Sequence, residues 1–226
     1  MALYMNGQEI SQSSGVPIGG ATEPYIEEIY NSDGQLISAN MHGYDAIRSY
    51  MFSECSNLAF TSLPSGITSI GKYAFQKCTK LALTSLPSGI TSIGSYAFYG
   101  CSNLALTSLP SGITSISSYA FYDCPKVAFT SLPSGITSIG VGAFQKCTKL
   151  ALTSLPSGIT SIGINAFEKC TGLTSITFTG KPTSIANNAF NGCTNLTTIN
   201  VPWAEGAVAN APWGATKATI HYGYTG

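Results

Sequence analysis

The chain has 226 residues, ten basic and ten acidic, and no net charge. Charged residues are only 9% of it and hydrophobic ones 44%, against roughly 25% charged in an average soluble domain. Neutrality removes the global field that would draw the protein to nucleic acid, and no apolar run approaches the ~20 residues that span a bilayer, so neither nucleic acid nor membrane insertion is expected. The zero hides an asymmetry. Residues 1–55 carry seven acids and one base, whereas residues 56–200 carry eight lysines and two acids. An acidic head on a basic body reads either as oppositely charged ends fit for head-to-tail self-association or simply as two weakly charged surfaces.

In chain order, "MALYMNGQEI" reads as a short strand with an Asn-Gly turn. It has no basic n-region and no long apolar h-region, so no signal peptide is visible. "SQSSGVPIGGATEP" is a loop or linker by composition. "YIEEIYNSDGQLISA" reads as two strands joined at "NSDG", a hairpin. Residues 1–40 are therefore assigned as an N-terminal hairpin cap or attachment segment. "YDAIRSYMFSEC" (44–55) is a worn first repeat, and residues 41–202 form the repeat region. After Val201 two tryptophans and a strand-like "ATIHYGY" suit a C-terminal cap over 203–226, since an uncapped stack would expose its core.

Within the repeat region the cysteines stand at 55, 78, 101, 124, 147, 170 and 193, at intervals of 23. A fixed period of this length is the mark of a solenoid. "TSLPSGITSI" at 61–70 returns four more times, starting at 84, 107, 130 and 153. One unit holds a short apolar strand, a Pro-Ser-Gly turn, a second short strand, and a helical or 3₁₀ turn around "YAF". It cannot enclose a core alone, but stacked on its neighbours it buries one face continuously. Leu63, Ile67, Ile70 and Phe75, each with its copies, then form inner columns. Pro64 ends each strand where a missing N–H does least harm.

These units resemble the BspA-like leucine-rich repeat, whose pattern runs C-x-x-L-x-x-Φ-x-Φ-P, then Φ-x-x-I-G, then A-F-x-x-C, with Φ apolar. "CTGLTSITF" (170–178) and "SIGKYAFQKC" (69–78) match it closely. The resemblance implies a right-handed leucine-rich-repeat solenoid, mainly β with short helical or 3₁₀ turns, of about six to seven coils with both ends capped. It also implies the family's usual assignment: a surface or secreted, non-enzymatic binding or adhesion protein with a protein or glycan partner. A second reading keeps to the chain itself. Unpaired cysteines and non-repeat ends also suit a structural or receptor-binding component of a phage or virus particle, made in the cytoplasm and assembled into a virion.

One departure from the pattern bears on where a ligand would bind. The apolar residue expected three places after the unit's Leu is present as Ile176 and Ile199 but is Thr in five middle units. There it has moved one place earlier, to Phe60, Leu83, Leu106, Phe129 and Leu152. One place along a strand flips a side chain to the opposite face. These residues either make an exposed apolar stripe fit for binding or are turned inward by a local bulge.

The second candidate site is the divergent edge before each Cys. Tyr73, Tyr96 and Tyr119 share one position with Tyr50, and Tyr99 and Tyr122 lie close by. Tyr supplies large amphipathic contact area at low entropy cost. The bland alternative is rings packed flat across neighbouring coils. No catalytic, cofactor or metal site is expected. Seven equally spaced thiols show no C-x-x-C or zinc-type spacing and read as buried small hydrophobes. His42 and His221 lie at opposite ends, and Asp123 and Glu168 lie two units apart.

Overall fold

Each 23-residue unit becomes one coil, and the coils stack in register into a β-solenoid of about eight turns, close to the six to seven expected. The computed structural model describes residues 3–5, 8–10 and 24–225. The linker assigned to 11–24 and the Asn-Gly turn at 6–7 fall outside these residues, Pro24 excepted. At the N-terminal end β1 (Leu3–Met5) pairs antiparallel with β2 (Gln8–Ile10), and β3 (Tyr25–Tyr30) with β4 (Leu36–His42). The turn between β3 and β4 is closed by Asn31, whose Oδ1 accepts from the N–H groups of Asp33 and Gln35.

Two parallel ladders run along the stack. One joins the two-residue strands of the "TSI" copies: β5 (Ala46–Ile47), β6 (Ser69–Ile70), β7 (Ser92–Ile93), β8 (Ser115–Ile116), β9 (Ser138–Ile139), β11 (Ser161–Ile162) and β13 (Ser184–Ile185). The other joins β10 (Ser154–Leu155), β12 (Ser175–Phe178), β14 (Thr198–Val201) and β15 (Thr219–Tyr222). Equivalent residues pair directly, as in Ile70 with Ile93 and Ile176 with Ile199. Identical side chains therefore pile up at the strand spacing of ~4.8 Å.

The first ladder is interrupted between β7 and β8, where the sequence has Ser117 in place of the column glycine; Ala186, at the same position, keeps its bond to Ile162 O at 3.0 Å. Glycine stands at 71, 94, 140 and 163, where the coil presses on the one before it. A Cβ at Gly94 would come within 2.6 Å of the Lys72 nitrogen, and one at Gly163 within 2.7 Å of the Val141 nitrogen. Serine stands at 117. At its neighbours the glycine N–H bonds the preceding isoleucine carbonyl, at 2.8 Å for Gly94 to Ile70 and for Gly140 to Ile116. At Ser117 the hydroxyl takes over that acceptor, Ile93 O, at 2.6 Å, and the strand ladder is lost at this junction.

The turn around "YAF" is not helical, contrary to the expectation; among the described residues there is no helix. Tyr73 and Lys77 both have φ 57°, left-handed values that stop a right-handed turn from propagating. Backbone donors alternate instead. Tyr73, Phe75 and Lys77 donate forward to Ser95, Ala97 and Tyr99 of the next coil, at 3.0, 2.8 and 2.6 Å, while Ala74, Gln76 and Cys78 each close a single tight turn. A non-glycine residue in this region costs of order 1 kcal/mol, and the bonds to the next coil offset it.

The core is a column of phenylalanines, Phe52, Phe75, Phe98, Phe121, Phe144, Phe167 and Phe190, stacked with centroids 5.0–5.6 Å apart. Trp213 follows Phe190 by one period, accepts its N–H at 2.9 Å and is fully buried, with Trp203 also buried and packed on Phe178. Each thiol from Cys78 to Cys193 donates to the carbonyl of a phenylalanine in the preceding coil, Cys124 to Phe98 at 2.9 Å for example. Burial pushes these thiols up, Cys193 to about 12, so they stay protonated donors.

The exposed-stripe reading of Phe60, Leu83, Leu106, Phe129 and Leu152 is corrected by their burial: none is more than 6% exposed. In each middle unit the residue at the Leu position (Val127 in the fourth), the residue two places on and the Leu five places on turn toward the core, as Leu104, Leu106 and Leu109 do, with Leu86 only partly buried. Thr107 and Ser108 both point out. In the last units the inward residues are Leu173, Ile176 and Phe178, and Thr174 and Ser175 take the outward step. The inward triplet keeps its ends; only the bulge moves from before the middle residue to after it. Phe60 and Phe129 use the position to meet the phenylalanine column edge-on, Phe129 at 5.6 Å from Phe121 with planes at 87°.

Candidate ligand-binding edge

The stretch from each column glycine to the residues just past the following Cys stacks in register into one long edge of the solenoid, and the left-handed residues within it set what it displays. Tyr50, Tyr73, Tyr96 and Tyr119 occupy one such position, with φ between 57° and 62°. Their rings stack face to face at 4.8, 4.7 and 4.8 Å. The column stops at Gly142, where the Tyr119 ring lies in the space a Cβ would fill. Tyr99 and Tyr122 make a second, shorter stack at 4.5 Å with planes 4° apart. Tilted contacts of 5.7 Å (Tyr96 to Tyr99) and 5.9 Å (Tyr119 to Tyr122) join the two stacks, and Tyr96, Tyr99, Tyr119 and Tyr122 make a four-ring cluster where they meet.

The predicted tyrosines are thus brought together, and the flat packing across coils anticipated as the bland reading is also present. The two are compatible. Stacking fixes the rings in advance and leaves the five residues partly exposed. Desolvation, then the neighbouring phenols, raise the Tyr96 and Tyr99 hydroxyls above their ordinary value, so both remain protonated at neutral pH. Lys72 lies over the Tyr73 ring and Lys146 over the Tyr122 ring, each 5.0 Å from the centroid, within cation–π range.

Charge is confined to one segment of each unit, and register stacking carries that division along the solenoid. Between Gly71 and Thr174 the edge segments carry seven lysines and two acids, while the intervening "TSLPSGITSI" copies carry no charge. The signal was in the spacing: Lys77, Lys146 and Lys169 directly precede the periodic Cys, and Lys80, Lys126 and Lys149 follow it by two. Lys77 pairs with Glu54 at 2.9 Å and Lys169 with Glu168 at 3.4 Å. Glu168 is buried and also accepts from Gln145 at 2.7 Å.

Hydroxyls of the uncharged segment are used internally, as are those of Thr79 and Ser102 beside the Cys. Thr68, Thr91, Thr137 and Thr160 each donate to a carbonyl of the preceding coil, at 3.0–3.4 Å. A cleft of about 450 Å³ between β4 and the first coil, lined by Ser38–His42 and Ala59–Pro64, carried no signal in the sequence. It opens because a single backbone bond, Ala59 to Ile37 at 2.9 Å, ties the hairpin to that coil. His42 stacks on Tyr25 at 4.4 Å with planes 11° apart. Among the described residues no three His, Cys, Asp or Glu side chains gather as a metal site would need, and no helix is long and apolar enough to cross a membrane.

Comparison with known proteins follows the same architecture. The family model for the BspA type leucine rich repeat region matches residues 30–151 and 114–206, with six copies. Among solved structures, the leucine-rich-repeat protein of T. pallidum is 27% identical, with 76% of this chain and 87% of that one covered and a TM-score of 0.59. The pneumococcal vaccine antigen PcpA is 18% identical over 87% of this chain and 48% of its own, with a TM-score of 0.51, a likeness of fold. No protein of curated function matches.

Proposed function

The chain belongs to the BspA-type leucine-rich-repeat family, and from that premise we propose that it is a rigid, non-enzymatic binding protein whose tyrosine edge engages a protein or glycan at a cell surface. One observation carries the reading. Tyr96, Tyr99, Tyr119 and Tyr122 are held in a pre-stacked cluster, so a partner gains contact area without the ordering cost that flexible side chains would add. The cluster is also the largest aromatic group outside the core, and the coil needs none of its side chains to close, since Asn165 holds the same left-handed position with φ 57°.

The test is a glycan and protein binding screen on the intact chain, repeated with all four tyrosines changed to Ala. Lost binding at an unchanged unfolding midpoint supports the edge as the contact. Binding that survives the fourfold change removes the edge from consideration.

A further inference from the structure

The charge segregation narrows the ligand class. Resting on the tyrosine-edge reading, we infer that this edge binds a linear anionic glycan, one bearing carboxylate, sulfate or phosphate at regular intervals. Lys72, Lys80, Lys126, Lys146 and Lys149 make no ion pair among the described residues, and all but Lys146 are exposed. Lys146 covers the Tyr122 ring, and Lys126 donates to Asn103 Oδ1 at 2.6 Å. The acids on the same edge do little to cancel them: Glu168 is buried and already paired with Lys169, which leaves Asp123 as the exposed one.

The lysines are spread along the axis rather than gathered in a pocket. From Lys72 to Lys149 the edge crosses successive coils at ~4.8 Å per step. A small anion would meet one lysine at a time; a polymer with a charge every few ångströms meets several together, and the gain multiplies. The phenols then choose among polyanions. Their faces are occupied by one another at 4.5–4.8 Å, so none inside the stack is free to take a nucleobase, which binds by stacking on an open aromatic face. What they offer is a row of ring edges and hydroxyls, both donor and acceptor, matched to the hydroxyls of a sugar chain.

Affinity electrophoresis of the intact chain tests this, using gels that contain polygalacturonate or the same polymer fully methyl-esterified. Retardation is expected in the charged polymer, weakening as salt rises because exposed charges are screened, and little in the neutral one. Changing Lys80, Lys126 and Lys149 together to Glu is expected to lower affinity about tenfold or more while the unfolding midpoint stays in place. Equal retardation by both polymers, untouched by the lysine changes but lost with the tyrosine changes, would overturn the anionic class and leave the tyrosine edge standing. Retardation lost with the lysines and intact without the tyrosines would sustain the anionic class and overturn the tyrosine edge. Duplex DNA binding as tightly as polygalacturonate, or no binding to either polymer, would overturn the glycan assignment.

Discussion

The five middle coils and the last two are built from one pattern and solve it differently. In the last two, Ile176 and Ile199 keep the expected apolar position, the strands run four residues, and each pairs with its neighbour over several residues. In the middle coils the apolar residue sits one place earlier, and the same stretch is joined across coils chiefly through one backbone bond, such as Ala105 to Leu83 at 3.0 Å. Both regions bury three side chains per strand. The middle region gives up sheet hydrogen bonds to do so and rests on the phenylalanine column, the thiol–carbonyl bonds and the forward bonds of the left-handed turns, which both regions share. A solenoid can thus shed strand ladder without changing its period.

That contrast can be broken at several points. The largest effect is expected from Phe121→Ala, which removes a fully buried ring between Phe98 and Phe144. A loss of about 3–5 kcal/mol is expected by chemical denaturation, and a loss under about 1 kcal/mol would mean the column is not what holds the middle coils. A smaller effect, about 1–3 kcal/mol, is expected from Gly140→Ser, because a Cβ there approaches the Ser118 nitrogen at 2.6 Å. The reverse change, Ser117→Gly, is expected to restore the ladder and slow amide exchange at Thr114 and residue 117.

Alkaline pH probes the thiol column. A folded-state value raised from 9.0 to about 12 at Cys193 means that below about pH 9 the thiol is protonated in both states and its contribution is complete. Above that, the unfolded chain releases a proton that the folded one retains, so stability falls as pH rises toward 12. The unfolding midpoint is expected to be level near neutrality and to drop above pH 9, less steeply in Cys193→Ala; an identical drop in the variant would remove Cys193 from the account. The smallest effect is expected from Tyr119→Asn, within about 1 kcal/mol, because Asn tolerates the left-handed conformation and the ring it replaces is only half buried. A loss of several kcal/mol would show that the tyrosine stack supports the fold rather than a partner.

The sequence made the period, the phenylalanine and isoleucine columns, the thiol column and the alignment of tyrosines legible, because each repeats one residue type at one spacing. The burial of Leu106 and its copies stayed open for a physical reason. Strand alternation assigns faces only when the bulge is known, and neither Thr107-Ser108 nor Thr174-Ser175 announces which pair steps outward. The turn around "YAF", expected to be helical or 3₁₀, is neither, because Tyr73 and Lys77 take a positive φ for which they have no intrinsic preference; the bonds to the next coil impose it. At the candidate edge, the tyrosine positions could be counted from the period, but their face-to-face closure depends on backbone geometry that composition does not carry. The cleft beside β4 depends on how one hairpin departs from the first coil and has no sequence counterpart.

The central claim is that the middle coils keep the inward triplet by moving the bulge, and unfolding of three variants tests it directly. Leu106→Ser alone is expected to cost about 4 kcal/mol. Adding Thr107→Ile recreates the arrangement of the last coils and is expected to recover most of that loss. A single change that leaves stability unmoved, or a second one that deepens the loss, would contradict the account.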